Sequence, residues 1–237
     1  HNNVQKMMVQ SRNIGAKMSF GNYVLFIDDD NEIDAKMIIN LISSFERNTS
    51  FGILGPSNYY FDTKKKYMDY QKINLFSGRT RGVISEKYEE IYESDGAPNV
   101  FMVKKEVFDK CGYFDETLIQ TFTEPDFAKK AESYGFKCGM VPNSITYHKV
   151  KNTDYLKPRA LGGEFDQKAY CLMRNRSVYV SRYGSFLNKL VYFLVFSWMW
   201  PLVYSLLALK GKRLDLVRLY WEGFIDGMTF GLTGRLN

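Results

Sequence analysis

Tyr23-Val24-Leu25-Phe26-Ile27-Asp28-Asp29-Asp30 runs five apolar residues into three carboxylates. The apolar run is short, partly β-branched and aromatic, and follows the turn pair Gly21-Asn22. It predicts a strand buried on both faces in a parallel sheet. The acids then sit at its carboxyl end, where open α/β sheets bind ligands. Three adjacent carboxylates repel one another, and a hard divalent cation carrying a diphosphate would offset them. Mg²⁺ and Mn²⁺ suit, because both take oxygen ligands and share them with phosphate. The same acids also fit a solvated loop, with Asp30 or Asn31 capping a helix that starts near Ile33.

Outward from this stretch the pattern alternates between strands and helices. Residues 5–17 have helical spacing and carry Ser11-Arg12-Asn13 inside the segment. Residues 33–47 predict an amphipathic helix through Ile33, Met37, Ile38, Leu41, Ile42 and Phe45. Phe51-Gly52-Ile53-Leu54-Gly55-Pro56 reads as a strand closed by breakers. Residues 57–94, rich in Tyr, Lys and Glu, predict irregular chain or edge strands, with Lys64-Lys65-Lys66 as a solvated loop. Asp95-Gly96-Ala97-Pro98-Asn99 is a loop leading into a buried strand, Val100-Phe101-Met102-Val103, and a helix follows near 105–111. Residues 124–134 predict a helix opened by Glu124-Pro125-Asp126, with proline and acids both favourable in a first turn. Two short strands, 139–142 and 145–148, end in His148.

At 237 residues the chain can bury one substantial core, or one domain with an appendage. Cys111, Cys138 and Cys171 have no metal-ligand spacing and read as reduced structural thiols of a cytosol-facing protein. His1 and His148 are the only histidines, which excludes a multi-histidine metal site. The charge is uneven: residues 1–148 hold 18 basic and 20 acidic side chains, and residues 149–237 hold 14 and 6. The basic last third also holds the longest apolar run, 190–209, which is 20 residues without a charge. That run is long enough to span a bilayer core of about 30 Å. Pro201 in its middle, Trp198 and Trp200 around it, and Lys189 and Lys210 at its ends also suit a kinked helix lying on a membrane surface. A buried helix, packed on the rest of the chain or in a homo-oligomer contact, fits as well. The sequence has neither a nucleic-acid motif nor a Walker-type glycine loop for phosphoryl transfer.

Several motifs together resemble glycosyltransferase family 2 of the GT-A fold. Ser11-Arg12-Asn13-Ile14-Gly15 and then Gly21-Asn22-Tyr23 through Asp30 are similar to the family's Arg-Asn helix, strand and Asp-x-Asp motif. Gly96 through Val103, Glu106-Val107-Phe108 and Gly112-Tyr113-Phe114-Asp115-Glu116 look like its acceptor-side strand, helix and turn. Glu124-Pro125-Asp126-Phe127 with Gly135-Phe136-Lys137 looks like its Glu-Asp-x-Asp segment. Arg174-Asn175-Arg176 resembles a tail motif of the rhamnosyltransferase-like branch. The likeness covers about residues 8–148. The family's first strand, helix and strand, which hold much of the nucleotide base, are expected to lie outside this chain.

The resemblance implies an α/β fold: a Rossmann-like mixed sheet flanked by helices over 1–150, with a membrane-associated helical appendage over 151–237. It implies an inverting, metal-dependent transfer of a hexosyl or deoxyhexosyl group from a nucleotide-sugar donor. Together with the basic, apolar tail, it implies an acceptor hydroxyl on a lipid-linked or polysaccharide glycan, at the cytoplasmic face of a membrane, with a peripheral or single-pass chain. Asp28, Asp30 and His148 are carried over as ligands of Mg²⁺ or Mn²⁺. Arg12, Asn13, Asp28 and Asp29 are carried over for the donor, and Asp95 and Asn99 for the acceptor. Glu124 takes the catalytic base position, with Asp126 as its alternate. A different reading is a non-catalytic partner that keeps the fold without a complete donor site.

Overall fold

The computed structural model describes residues 8–149 and 167–235. The elements are, in chain order, α1 (Met8–Met18), β1 (Tyr23–Ile27), β2 (Asn31–Ile33), α2 (Met37–Arg47), β3 (Phe51–Tyr60), β4 (Lys66–Met68), β5 (Tyr70–Asn74) and β6 (Arg79–Val83). There follow β7 (Tyr92–Glu93), β8 (Val100–Lys104), α3 (Lys105–Cys111), a 3₁₀ turn (Glu116–Leu118), α4 (Thr123–Glu132) and β9 (Lys137–His148). The chain ends in α5 (Gln167–Tyr183), α6 (Phe186–Val191), a π-helical turn (Tyr192–Phe196), α7 (Ser197–Lys210) and α8 (Leu214–Thr233). Two compact units emerge: 8–72, 80–115 and 123–149 form one, and 73–79, 116–122 and 167–235 form the other.

The first unit is a mixed sheet in the order β1-β8-β3-β9-β2. β1 and β3 pair antiparallel with β8, and β3 runs parallel to β9. Alternation along the strands divides two cores. Val24, Phe26, Phe101 and Val103 meet Val107, Phe108, Phe114 and Phe127 on one face. Val100, Met102 and Leu54 meet Met37, Leu41 and Phe45 of α2 on the other. Phe26 stacks on Phe101 at 4.9 Å, and Tyr23 stacks on Phe45 at 5.3 Å on the opposite side. Gly52 allows β3 to approach α3, because a Cβ there would lie 2.6 Å from Val107 Cγ2.

Three expectations are corrected. β1 is not a central parallel strand: it pairs antiparallel with β8 and ends the sheet order among the described residues. Its burial alternates, with Ile27 45% exposed. Ile33 does not open a helix. Asn31, Glu32 and Ile33 pair with His148, Tyr147 and Thr146 as β2, and α2 starts only at Met37, after the Asp34 carboxylate accepts the Lys36 N–H at 2.9 Å. The two short strands before His148 are one strand, β9, whose register against β3 shifts between Pro56 and Ser57. Proline is tolerated in a ladder at such an irregularity, where its missing N–H costs nothing. Residues 5–7 of the expected first helix lie outside the described residues.

In the second unit α5 packs against α8, and α7 packs against α8. Gly223 and Gly227 lie on the contact face of α8: a Cβ at Gly223 would sit 2.2 Å from Tyr170 O, and one at Gly227 would sit 2.7 Å from Ser177 Cβ. The three cysteines of the chain are free and buried.

Candidate functional site

α1 buries Val9, Arg12, Asn13 and Ala16, which are spaced along one helix face. That spacing drives a guanidinium into the first unit, where it needs counter-ions. Two carboxylates provide them. Arg12 Nη2 donates to Asp28 Oδ1 at 2.7 Å, and Arg12 Nη1 donates to Glu124 Oε1 at 2.6 Å. Phe101 lies beneath the guanidinium, 5.3 Å from its centre to the ring centroid. Glu124 sits in the first turn of α4, and its other oxygen accepts from Thr123 Oγ1 at 2.8 Å. Three groups far apart in sequence thus form one charged cluster at the end of β1.

A second polar chain adjoins the acid triplet. Asp30 Oδ2 lies 2.9 Å from His148 Nε2, and His148 Nδ1 lies 2.9 Å from the Tyr67 hydroxyl. Asn99 Nδ2 donates to Asn58 Oδ1 at 3.1 Å and to the Tyr67 hydroxyl at 3.3 Å. Asn99 holds a left-handed φ of 68°, and its carbonyl accepts the Asp28 N–H at 3.1 Å. That bond ties the 95–99 loop to the start of the acid triplet. Asn31 donates its amide to Asp30 Oδ1 at 2.7 Å, while its own Oδ1 is buried without a donor.

The remaining carried-over residues are distributed differently. Asp29 is exposed. Asn13 exchanges hydrogen bonds with the Phe114 backbone at 2.9 and 3.0 Å, so its amide braces the turn after α3. Asp126 is 3% exposed. Asp95 faces Lys72 at 3.9 Å and lines a cavity of about 400 Å³ with Ser94, Lys129 and Cys138. None of Arg12, Asp28, Asp30, Glu124 or His148 lines that cavity. Among the described residues, no three His, Cys, Asp or Glu side chains converge as a cation cage. Tyr67 and Asn58 were not legible as site residues: nothing in a tyrosine-rich segment marks Tyr67 as a ring that reaches His148.

The cluster sorts its acids by environment. Burial pushes Glu124 up, but the charge and hydrogen bond of Arg12, with Thr123, more than offset it, and its carboxyl lies below the ordinary glutamate value. For Asp28 burial wins: with the charges of Glu124 and Asp30 it outweighs Arg12 and holds the carboxyl above its ordinary value. Burial lowers Arg12, and its two carboxylate partners more than restore it.

The Asp28 shift has a signed consequence. A raised folded-state value gives stability that is present below the unfolded value and lost as pH rises through the folded one. At neutral pH the ionised Asp28 therefore costs stability. Asp28→Asn, which keeps an acceptor for Arg12, is expected to melt at or above the wild-type temperature at neutral pH. The difference should vanish below the ordinary aspartate range. A lower melting temperature at neutral pH would show that the Arg12 ion pair dominates instead.

Comparison with known proteins follows the same outline. The profile of the family described as Glycosyl transferase family 2 matches residues 1–112, which include Arg12, Asp28 to Asp30 and Asn99. No curated protein sequence matches the chain. Among solved structures, GalNAc-T7 with UDP, GalNAc and Mn²⁺ superposes with a TM-score of 0.55 at 17% identity, over 76% of this chain and 38% of its own. The mannosyltransferase PcManGT from Pyrobaculum calidifontis, in complex with GDP-Man and Mn²⁺, gives a TM-score of 0.52 at 13% identity, over 98% of this chain and 68% of its own. At such identities the likeness is one of fold, a GT-A glycosyltransferase fold. The match to glycosyl transferase family 2 covers residues 1–112, the part of the chain that carries Arg12 and the Asp28 to Asp30 triplet.

Proposed function

We propose that this chain catalyses the inverting transfer of a hexosyl or deoxyhexosyl group from a nucleotide diphosphate to a hydroxyl of a lipid-linked or polysaccharide glycan. Residues 1–150 would be its catalytic part and 151–237 its C-terminal linker and helices. The observation that carries the reading is the convergence of Arg12, Asp28 and Glu124 beside Asp30 and His148, at the end of a family 2 strand.

A divalent cation fits the donors present. Asp30 and His148 are adjacent, and Asn31 Oδ1 is a buried acceptor awaiting a positive partner. Carboxylate and amide oxygens suit Mg²⁺ or Mn²⁺, and imidazole tips the set towards Mn²⁺. Asp30 and His148 would hold the ion, with Asp28 joining them only by turning from Arg12, since the three side chains do not converge as they stand; when bound, the ion would supply Lewis-acid stabilisation of the leaving diphosphate. The chain's own groups do the rest. Arg12 offers two N–H donors to phosphate, Asn13 fixes the helix that carries it, and the exposed Asp29 is free to meet the ribose or the sugar. The acceptor hydroxyl is held by Asn99, with Asp95 at the far end of the same loop. Glu124 takes its proton as the oxygen attacks the anomeric carbon and the bond to the diphosphate oxygen breaks. Base and leaving group on opposite faces of the sugar give inversion. Asp126 is the alternate base.

Titration of the full-length protein with uridine, guanosine and thymidine diphosphate sugars tests this. Binding of one donor is expected in Mn²⁺, with a loss of at least about tenfold when the ion is chelated. Asp30→Asn should weaken it comparably. Equal binding with and without the ion would remove Asp30 and His148 from their metal role. No binding of any donor would favour the non-catalytic partner.

A further inference from the structure

The helix formed by α6, the π-helical turn and α7 runs without a break over Phe186–Lys210, about 37 Å at the usual rise. Its burial is the reverse of a helix in water. The buried side chains are Tyr192, Ser197, Pro201, Ser205 and Ala208. The outward side chains are Leu187, Leu190, Leu194, Trp198, Leu202 and Leu206, from 44% to 69% exposed. Their spacing of three or four residues makes one continuous apolar stripe. From Ser197 onward, small residues inside and leucine outside is the arrangement of a helix whose outer face meets lipid.

Length and composition would permit this helix to cross a bilayer, but its neighbour in the same unit forbids it. Trp198 packs on Phe224 at 4.6 Å, and Tyr204 packs on Tyr220 at 5.5 Å, so α8 runs alongside the middle of the stripe. One turn from those rings α8 carries Arg218 and Glu222, paired at 2.6 Å with side chains 85% and 42% exposed. A spanning α7 would carry that open ion pair into the hydrocarbon centre, where charged side chains are strongly disfavoured. A helix lying in the membrane plane keeps the stripe in the acyl layer and leaves α8's charges in water.

Charge selects the kind of lipid. Residues 167–235 hold ten basic and three acidic side chains. Asp215 pairs with Arg213, Glu222 with Arg218, and Asp226 accepts from the Tyr170 hydroxyl. Arg176 is 4% exposed, lies 4.1 Å over the Trp200 ring, and has two buried N–H nitrogens without an acceptor. Over 149–237 the formal balance is still 14 basic to 6 acidic side chains, and exposed Lys210 and Lys212 stand at one end of the stripe. We infer that the second unit docks in the plane of an anionic lipid surface through the stripe from Leu187 to Leu206, without crossing it. The inference is independent of sugar transfer: a chain that binds no donor could still bind vesicles.

Sedimentation with vesicles tests it, using phosphatidylcholine alone and phosphatidylcholine mixed with phosphatidylglycerol. The wild-type full chain should bind the anionic vesicles and weaken as salt rises. The double variant Leu194→Glu/Leu202→Glu changes only exposed positions, so its melting temperature should hold while vesicle binding falls by at least about tenfold. Equal binding by both proteins overturns the surface. If neither binds vesicles while the wild type is a dimer in solution and the double variant a monomer, a second copy covers the stripe and the proposal fails. Placement is read from Ser185→Cys and Lys212→Cys, labelled with an impermeant maleimide in right-side-out and inverted membranes; the native thiols are buried. Labelling of both from one side supports the in-plane helix, and labelling from opposite sides overturns it.

Discussion

Glu124→Gln is expected to lower kcat by about 10²- to 10⁴-fold, the usual loss when a general base is removed, with little change in donor binding. The amide keeps an oxygen for Arg12 Nη1, so the ion pair becomes a hydrogen bond and the start of α4 stays in place. What disappears is the group that accepts the hydroxyl proton. Donor KM should change far less than kcat, because Asp30 and His148 do not touch Glu124 and the amide oxygen keeps its bond to Arg12, the group offered to phosphate. The pH profile gives a second readout. Arg12 holds Glu124 below the ordinary glutamate value, so the acidic limb of kcat/KM should lie below that value too. The linkage has the same sign: a depressed carboxylate gives stability present above its unfolded value and lost as pH falls through the folded one. Asp126→Asn is the control. If it abolishes turnover while Glu124→Gln retains it, the two acids exchange roles.

How much of this could be read from the sequence depended on whether each feature was local. Helix α3 was legible because Val107, Phe108 and Cys111 repeat at helical spacing within one short window. Strand β8 was legible because Val100 to Val103 is apolar on both faces, and both faces are buried. β2 was not. Its three residues are half-buried or exposed, and they are a strand only because His148, more than 100 residues on, offers a partner edge. Ile33 fitted the helix period that follows it, and a hydrogen-bonded edge outweighed that period. β9 was split by Pro142, which reads as a breaker until Pro56 in the facing strand shows that the ladder slips there.

The site divides in the same way. Residue types and order marked Asp28, Asp30, Glu124 and His148. Their geometry rests on pairings 112 and 118 positions apart, between Arg12 and Glu124 and between His148 and Asp30. Sequence could assign Arg12 to a phosphate. It could not show that the same guanidinium bridges Asp28 and Glu124 and so sets which acid is ionised most readily. Tyr67 and Asn58 are the other side of this limit, since only the fold carries β4 and β3 to His148.

Asn175→Ala is expected to destabilise the second unit by about 2 to 4 kcal/mol, through a loop that no local signal marks. Ile119, Thr121 and Phe122 all hold left-handed backbone, with φ of 60°, 62° and 57°. Such conformations cost of order 1 to 3 kcal/mol each for residues with a Cβ, more so for β-branched ones, and persist only where surroundings enforce them. Asn175 supplies the enforcement. Fully buried on α5, its amide donates to the carbonyls of Leu118 at 2.6 Å, Gln120 at 2.5 Å and Thr121 at 3.0 Å. Arg174 adds a bond to Thr117 O and, through Nε, holds Asn175 Oδ1 at 2.9 Å. Alanine would remove the donor that ties these three carbonyls to α5, leaving Leu118 O only the Gln120 N–H, and the strained segment would relax. Asn175→Asp should be worse than alanine, because a carboxylate facing three carbonyls adds repulsion to the lost donors, even with Arg174 beside it. Thermal melts give the size of the effect, and amide exchange gives its place. Protection should fall first across 116–122, the segment that runs directly into the turn carrying Glu124. A variant that melts as wild type, with exchange there unchanged, would show that the left-handed run is held by its own packing, chiefly Phe122 against Tyr179 at 5.4 Å.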